Sequence, residues 1–598
     1  MMKTLSRNII MIGAFGLLGA AISALMLTSG HAQGAPASAL RPAASGVTAT
    51  LKGVVSVTEL AASEANRQAL QSRWNARPVE QPRHRLRDGS LTSAPSRTML
   101  NALPVVPKPN VAVSSPISGA PLATFSSIKG FTGIHEGDND TANSGEEFDP
   151  PDQGLAVNNN IAAEINNNVV RFFNATTGSA MTGPIATSAF FGASGFSLTD
   201  TQVFYDPVSQ HWFFDEVISS SSFEGFAVAV SKTSNPLGSY FVYHIEAVSS
   251  TVLGCGGVDC FPDYPKAGYD ANAFYITADL FQNTPTGSFV ESAIYVLPKA
   301  TLEAGTHSFA YYRFDDPSDF VVQPSVPAPG EPFSSVNNGS EFLMSAPFSP
   351  TLSVLAIYNT NNIVSSPGSL KMLRTTVVSE SFGGSGTVPM TQPNVVGTYC
   401  ASVGATSAPS LDGGYSDIQA TVQKASGNLY AALPYAATDG TGFNRDVIAW
   451  FEVLPTLTTT ALSASIVHQG YVVPPNGYSV SYPAFGLNQL GAGVMGMTIT
   501  NKSASVPGGY PSAAYIQFTG TGVTGSIGIR GGGFTSFDSF TGCPGPGPGQ
   551  VARWGDYAAA TVDATTGFFY TANEMIPNPA LFTRGFFANW GTFITQLH

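Results

Sequence analysis

Five aspartates stand at the same place in a repeated stretch of this sequence: Asp152, Asp200, Asp263, Asp417 and Asp556. Carboxylates brought together from separate repeats repel, raise one another's pKa, or hold a cation. A calcium or substrate site is the functional expectation, and calcium is the only cofactor these residues suggest. The plainer expectation is that each Asp holds a turn by accepting backbone N–H groups within its own repeat. A second group comes from the last repeat: Arg553, Trp554, Tyr557 and Glu574. Aromatic faces beside a guanidinium and a carboxylate suit a sugar, whose ring stacks while its hydroxyls bond. The structural alternative packs Trp554 between sheets and pairs Arg553 with an inner Asp.

Glycoside hydrolysis needs two carboxylates about 5 to 10 Å apart, which an acidic ring could supply. Other chemistries lack their signatures. No Gly-x-Ser-x-Gly elbow or His-Glu-x-x-His helix is present, and the 8 His are scattered. In the acidic stretch from His135 to Asp149, Asp138 and Asp140 have the first spacing of a calcium loop. Ala142 and Asn143 then break the pattern, so a solvated acidic loop is expected. Gly531-Gly532-Gly533 lacks the strand-to-helix setting of a phosphate loop and reads as a turn.

The elements that carry these residues are short strands. From about Gly130, runs rich in Val, Ile, Phe, Tyr and Thr alternate with Gly, Pro, Asn and Ser turns, and no long amphipathic helix appears. A motif recurs near 152, 200, 263, 324, 417, 481 and 556: an Asp or polar residue, a few small or apolar residues, a turn, and an often aromatic strand. The copies lie far enough apart for one blade of about 40 to 50 residues plus loops. The fold class expected is all-β, a β-propeller of seven blades over 126–598, with six or eight as alternatives. If the motif begins each innermost strand, the five aspartates converge on one mouth of the channel. The strand from Trp590 to Ile594 is expected to join the first blade and close the ring.

Pro151-Asp152-Gln153-Gly154, Tyr205-Asp206-Pro207, Asp263-Tyr264-Pro265-Lys266, Tyr510-Pro511-Ser512-Ala513 and above all Arg553-Trp554-Gly555-Asp556-Tyr557 carry a resemblance. Over residues 130–598 the chain resembles a largely uncharacterised group of secreted bacterial β-propeller proteins, loosely similar to sialidases in fold. The resemblance implies a fold and a location, and transfers no catalytic residue. The repeated sialidase box, Ser-x-Asp-x-Gly-x-x-Trp, begins once at Ser410-Leu411-Asp412-Gly413-Gly414, but Asp417 stands where Trp should be.

Compartment and charge narrow the function. Lys3 and Arg7, the apolar stretch Ile9 to Leu27 and the small-x-Ala site at Gly30-His31-Ala32 predict a signal peptide over 1–32. The rival is a retained anchor, since about 18 apolar residues can span a bilayer. After cleavage no membrane association is expected, and the protein is placed as secreted or extracellular. Export permits disulfides. Of the three pairings open to Cys255, Cys260, Cys400 and Cys543, a local Cys255–Cys260 bridge is easy, leaving Cys400 with Cys543.

Residues 33–129 carry 11 Lys and Arg against 4 Asp and Glu, whereas residues 130–598 carry 13 against 35. The main domain is acidic and would repel nucleic acid. Its charge is sparse, which suits an extracellular protein working at low pH. Residues 33–125 are rich in Ala, Pro and Ser, with one helical segment from Val57 towards Trp74. They read as a low-order linker or pro-segment, or as an arm packed on the main domain. The function expected is a monomeric binding module for an extracellular polymer, a glycan, gripped by the channel mouth and blade loops. A glycoside hydrolase using the channel carboxylates and a structural cell-surface protein stand as alternatives.

Overall fold

The computed structural model describes residues 44–68, 77–80, 117–118, 125–248, 255, 260–283, 287–348, 350–359, 369–380, 386–438, 444–543, 551–582 and 584–598. The signal-peptide reading, Leu70 to Trp74 and the Pro-Gly run after Cys543 lie outside them.

The fold is an all-β propeller. Strand pairings among the described residues form seven four-stranded antiparallel blades, I to VII, whose innermost strands are Gly154–Asn158, Ser197–Asp206, Cys260–Tyr269, Gln323–Pro327, Val422–Ala425, Tyr478–Leu487 and Ala559–Val562. Each innermost strand touches the next, and the seventh touches the first, so they enclose an axis. Strands such as Ala273–Gln282 and Tyr478–Leu487 are buried along nearly their whole length rather than on alternate residues. Both faces of a blade meet a neighbour, so both must be apolar. Apolar layers accordingly lie between blades: one joins Phe213 and Phe226 of blade II to Phe274 and Tyr295 of blade III. Another joins Tyr275 and Phe314 of blade III to Leu343 and Leu355 of blade IV. Near the axis the wedge tightens. A Cβ at Gly154 would stand 3.1 Å from the Val203 nitrogen, and one at Gly268 would stand 2.5 Å from the Ser325 carbonyl.

Ring closure differs from expectation. Gly591–Leu597 does not join the first blade. It is third in blade VII, and Ile128–His135, from the other end of the chain, pairs with it as the fourth. The fourth strand of blade VII thus comes from upstream of blade I in the sequence. Borrowing one from upstream covers its open edge.

The described parts of the arm lie on the propeller. Ala44–Ser56 pairs antiparallel with the outermost strands of both blade II and blade III, joining them into one nine-stranded sheet. The helix Val57–Gln68 follows it. Arg77–Glu80 runs parallel to Glu146–Asp149, and Ile117–Ser118 extends blade VI. No described helix is long and apolar enough to cross a membrane.

Candidate functional site

The repeated motif does begin each innermost strand, and its backbone is unusual. Asp152 (φ 42°), Asp200 (φ 61°), Tyr264 (φ 55°), Val321 (φ 51°) and Tyr482 (φ 52°) occupy the left-handed region in blades I, II, III, IV and VI. Register shifts follow at the same level in blades II, III and VI. These are β-bulges, which re-aim side chains where strands begin. Asp tolerates left-handed backbone, but Tyr and Val do so only where their surroundings hold them.

Four of the five aspartates, Asp152, Asp200, Asp417 and Asp556, lie within electrostatic reach of one cation, Lys266, and Asp263 stands three residues before it in the same strand. Its Nζ donates to the Gln419 carbonyl at 2.8 Å and lies 3.6 Å from the ring centres of both Tyr264 and Tyr557. It is 1 % exposed. Burial pushes its pKa down to about 7, against the pull of Asp200, Asp556, Asp152 and Asp279. Asn167 ties two repeats together: its Nδ2 donates to Asp152 Oδ2 at 2.6 Å, and its Oδ1 accepts the Asp200 N–H at 2.8 Å. The Asp556 N–H donates to Asp152 Oδ1, and Asp263 Oδ1 accepts the Tyr264 N–H at 3.0 Å. Asp417 alone of the five keeps partial exposure, and burial raises its carboxyl to about 7 although Lys266 pulls it down. Asp279, opposite Asp263 in the blade III ladder, is raised to about 8 by burial.

The second group adjoins this plug. Arg553 Nη2 pairs with Asp556 Oδ2 at 2.8 Å; burial opposes its charge, but Asp556 and Asp152 outweigh it and raise its pKa. Glu574 accepts the Gly555 N–H at 2.7 Å, and burial raises its pKa well above the ordinary value. Trp554 donates through Nε1 to Thr498 Oγ1 at 3.2 Å and packs edge-on against Phe537. The Tyr557 hydroxyl donates to the Pro265 carbonyl at 3.0 Å. All four are buried, so none of them offers solvent an open ring face or free charge. Among the described residues no group of three or more His, Cys, Asp or Glu is arranged to hold a metal ion. The focus where the aspartates could have held calcium is taken by an ammonium.

Long loops cover this end. Met390, Leu411, Phe537, Trp554 and Trp590 share one apolar cluster. Cys400–Cys543 ties two of these loops together, and Cys255–Cys260 closes a local one, so both expected disulfides form. Asp538 accepts the N–H groups of Tyr399 and Cys400 and pairs with Arg584 at 2.7 Å.

The acidic stretch is a correction to the sequence reading. It is not a solvated loop: Glu136–Ala142 is a helix, and Glu136, Asp138, Glu147 and Asp149 are buried. Partners outside the stretch explain why. Arg171 meets Asp138 at 2.6 Å, and Glu147 accepts the backbone N–H groups of Phe586, Phe587 and Ala588.

The opposite end of the axis is open. The inner strands surround an axial cavity of about 70 Å³. Pro207, Pro329 and Ala564, where the strands end, are at least partly exposed at its rim; Gln153, Gln202, Gln419 and Tyr557 are buried at its floor. Lys266 lies behind that floor. No charged side chain lines the cavity. These glutamines were not singled out in the sequence, yet a signal exists. A Gln follows the repeated Asp by one or two positions in Asp152-Gln153, Asp200-Thr201-Gln202 and Asp417-Ile418-Gln419. Lys266 stood in its motif copy without a role.

No protein-family model matches the sequence, and no curated protein matches it. Solved structures with a likeness include an ulvan lyase, a polysaccharide lyase, at 9 % identity and TM-score 0.30, covering 73 % of this chain and 90 % of that one. The Trypanosoma rangeli sialidase, in complex with sialic acid, has 10 % identity and TM-score 0.30, covering 75 % of this chain and 59 % of that one. An exo-β-1,3-galactanase from Clostridium thermocellum has 10 % identity and TM-score 0.26, covering 78 % of this chain and 99 % of that one. Likenesses this slight carry no argument for an activity.

Proposed function

We propose that this chain is an exported β-propeller that binds an extracellular polymer, a glycan, through its axial cavity and the loops around it. The observation that supports this reading is the contrast in charge along the axis. The aspartates are engaged behind the cavity floor, while the open cavity has an uncharged lining. Gln323–Pro327 and Val422–Ala425 pair with each other as well as within their blades, but the other five innermost strands pair on one side only among the described residues, so their free edges present N–H and C=O groups. Unpaired peptide groups and glutamine amides match sugar hydroxyls, and Ala, Val and Tyr side chains match ring faces. The test is a glycan array probed with the purified protein, together with pull-down by insoluble cell-wall fractions. Saturable binding to a defined set of glycans is expected, and binding to none would sink the reading.

Hydrolysis is a second reading, favoured by one observation: Asp417 is partly exposed near Asp279, and both carboxyls are raised by burial. A raised carboxylic acid can protonate a glycosidic oxygen. Release of sugar by the wild-type protein and its loss in Asp417→Asn would move the proposal from binding to cleavage. Unchanged release in that variant would remove Asp417 from consideration.

A further inference from the structure

The axial cavity is a well rather than a tunnel. Gln153, Gln202, Gln419 and Tyr557 close its floor, and Lys266 with its two tyrosine rings fills the axis behind them. These groups are held in place: Gln202 Nε2 donates to the Pro265 carbonyl at 3.0 Å, and its Oε1 accepts the Ala267 N–H at 3.0 Å. A polymer cannot thread past them. Only a chain end can enter, and it meets the floor head-on.

The lining then sets the chemistry of that end. A uronate, sulfate or sialate would shed its water in a cavity with no cation on its wall, which is costly for an unpaired charge. A hydroxyl would not meet that cost. Gln153 lines the floor, and its buried Oε1 has no hydrogen-bond partner among the described residues. A buried acceptor of this kind costs free energy until a donor reaches it, and a sugar hydroxyl is such a donor. Tyr205, partly exposed on the wall with its ring against Trp212, supplies a flat face nearer the rim.

Resting on the proposed glycan binding, we infer that the cavity receives the terminal unit of an uncharged glycan end-on, with Gln153 hydrogen-bonding its innermost hydroxyl. The experiment uses the full mature protein and isothermal titration. The ligands are short linear glucan, mannan, galactan and arabinan fragments, cyclic glucans that have no chain end, and uronate- or sulfate-bearing fragments. Linear uncharged fragments should bind, and cyclic and acidic ones should not. Gln153→Leu should weaken binding about tenfold, the worth of one buried hydrogen bond. Ala559→Trp, which puts an indole where the wall has a methyl group, should abolish it with the melting temperature kept. If Ala559→Trp fails to fold, Gln153→Leu decides alone. Equal binding of cyclic glucans would overturn end-on entry, and preference for acidic fragments would overturn the uncharged class. Glycan binding unaffected in Gln153→Leu would overturn the cavity as the site while leaving glycan binding intact. No binding by any glycan would instead bring down the proposed function itself.

Discussion

The two ends of the propeller axis are made from the same innermost strands, yet one is charged and sealed and the other uncharged and open. At the sealed end five of the seven blades turn an Asp, Tyr or Val into left-handed backbone, and three of them carry a bulge there. Bulges from separate blades meet there, and Asn167, Lys266 and Arg553 bind them to one another. At the open end small side chains such as those of Ala559, Ala560 and Ala564 leave space. A repeated motif can therefore serve to lock a ring, while the working surface lies where the motif is absent.

The comparison breaks first at Lys266. Replacing it with Met strands several buried aspartates without their cation, which costs about 3 to 5 kcal/mol for a buried pair. Chemical denaturation should show a loss of that size, and an unchanged midpoint would mean that Lys266 is not the lock. The Cys400–Cys543 link closes 143 residues of chain over the sealed end. Its removal by paired Cys→Ser substitution should cost about 2 to 5 kcal/mol. A thermal melt would register this, and ligand binding at the open end should persist.

Proton linkage follows next. Burial raises Asp279 and Glu164 to about 8 and Asp417 to about 7, and it raises Glu136, Asp215, Glu216, Glu341, Asp446 and Glu574 as well. A carboxyl raised on folding keeps its proton in the native state where the unfolded chain has lost it. Its stabilising share is complete below about pH 4 and is lost as pH climbs towards 8. Lys266 runs the other way, since its lowered pKa is a penalty that eases only above about 7. The denaturation midpoint should fall between pH 5 and pH 8. A midpoint that rises over that range would contradict the burial of these groups as acids, and with it the sequence-based expectation of a low-pH habitat.

Adjacent residues sharpen the contrast further. Asp152→Asn disturbs a carboxylate that serves the Asp556 N–H and Asn167, and should cost about 1.5 to 3 kcal/mol. Gln153→Leu removes an acceptor with no hydrogen-bond partner among the described residues, and should cost less than about 1 kcal/mol while reducing glycan affinity. Similar stability losses at the two positions would erase the distinction between lock and site. The smallest effect concerns calcium. With Lys266 at the focus of the aspartates, EDTA and added calcium should leave the melting temperature unchanged. A rise of several degrees with calcium would return the ring to its reading as a cation site.

Much of this could be read from the residues in order. Alternating turn signals and apolar runs specify short strands, and a motif repeated at blade-sized intervals specifies a ring, because each strand group must bury both faces against another. That Asp152, Asp200, Asp263, Asp417 and Asp556 should converge is an expectation from repetition alone, and cysteine spacing pointed to both disulfides. Tertiary structure decided the rest. Spacing cannot tell which end of the channel stays open; that depends on loops far apart in sequence, such as those bearing Cys400 and Cys543, 143 residues apart. Nor can it show that Ile128–His135 completes the last blade, since an edge is satisfied by whichever strand reaches it first in space. Trp554 and Arg553 have the composition of a sugar site, but exposure belongs to the packed fold, which seals them in. Lys266 and Gln153 each gain a place only when their neighbours arrive, one as the cation among acids and the other as a buried amide on the cavity floor.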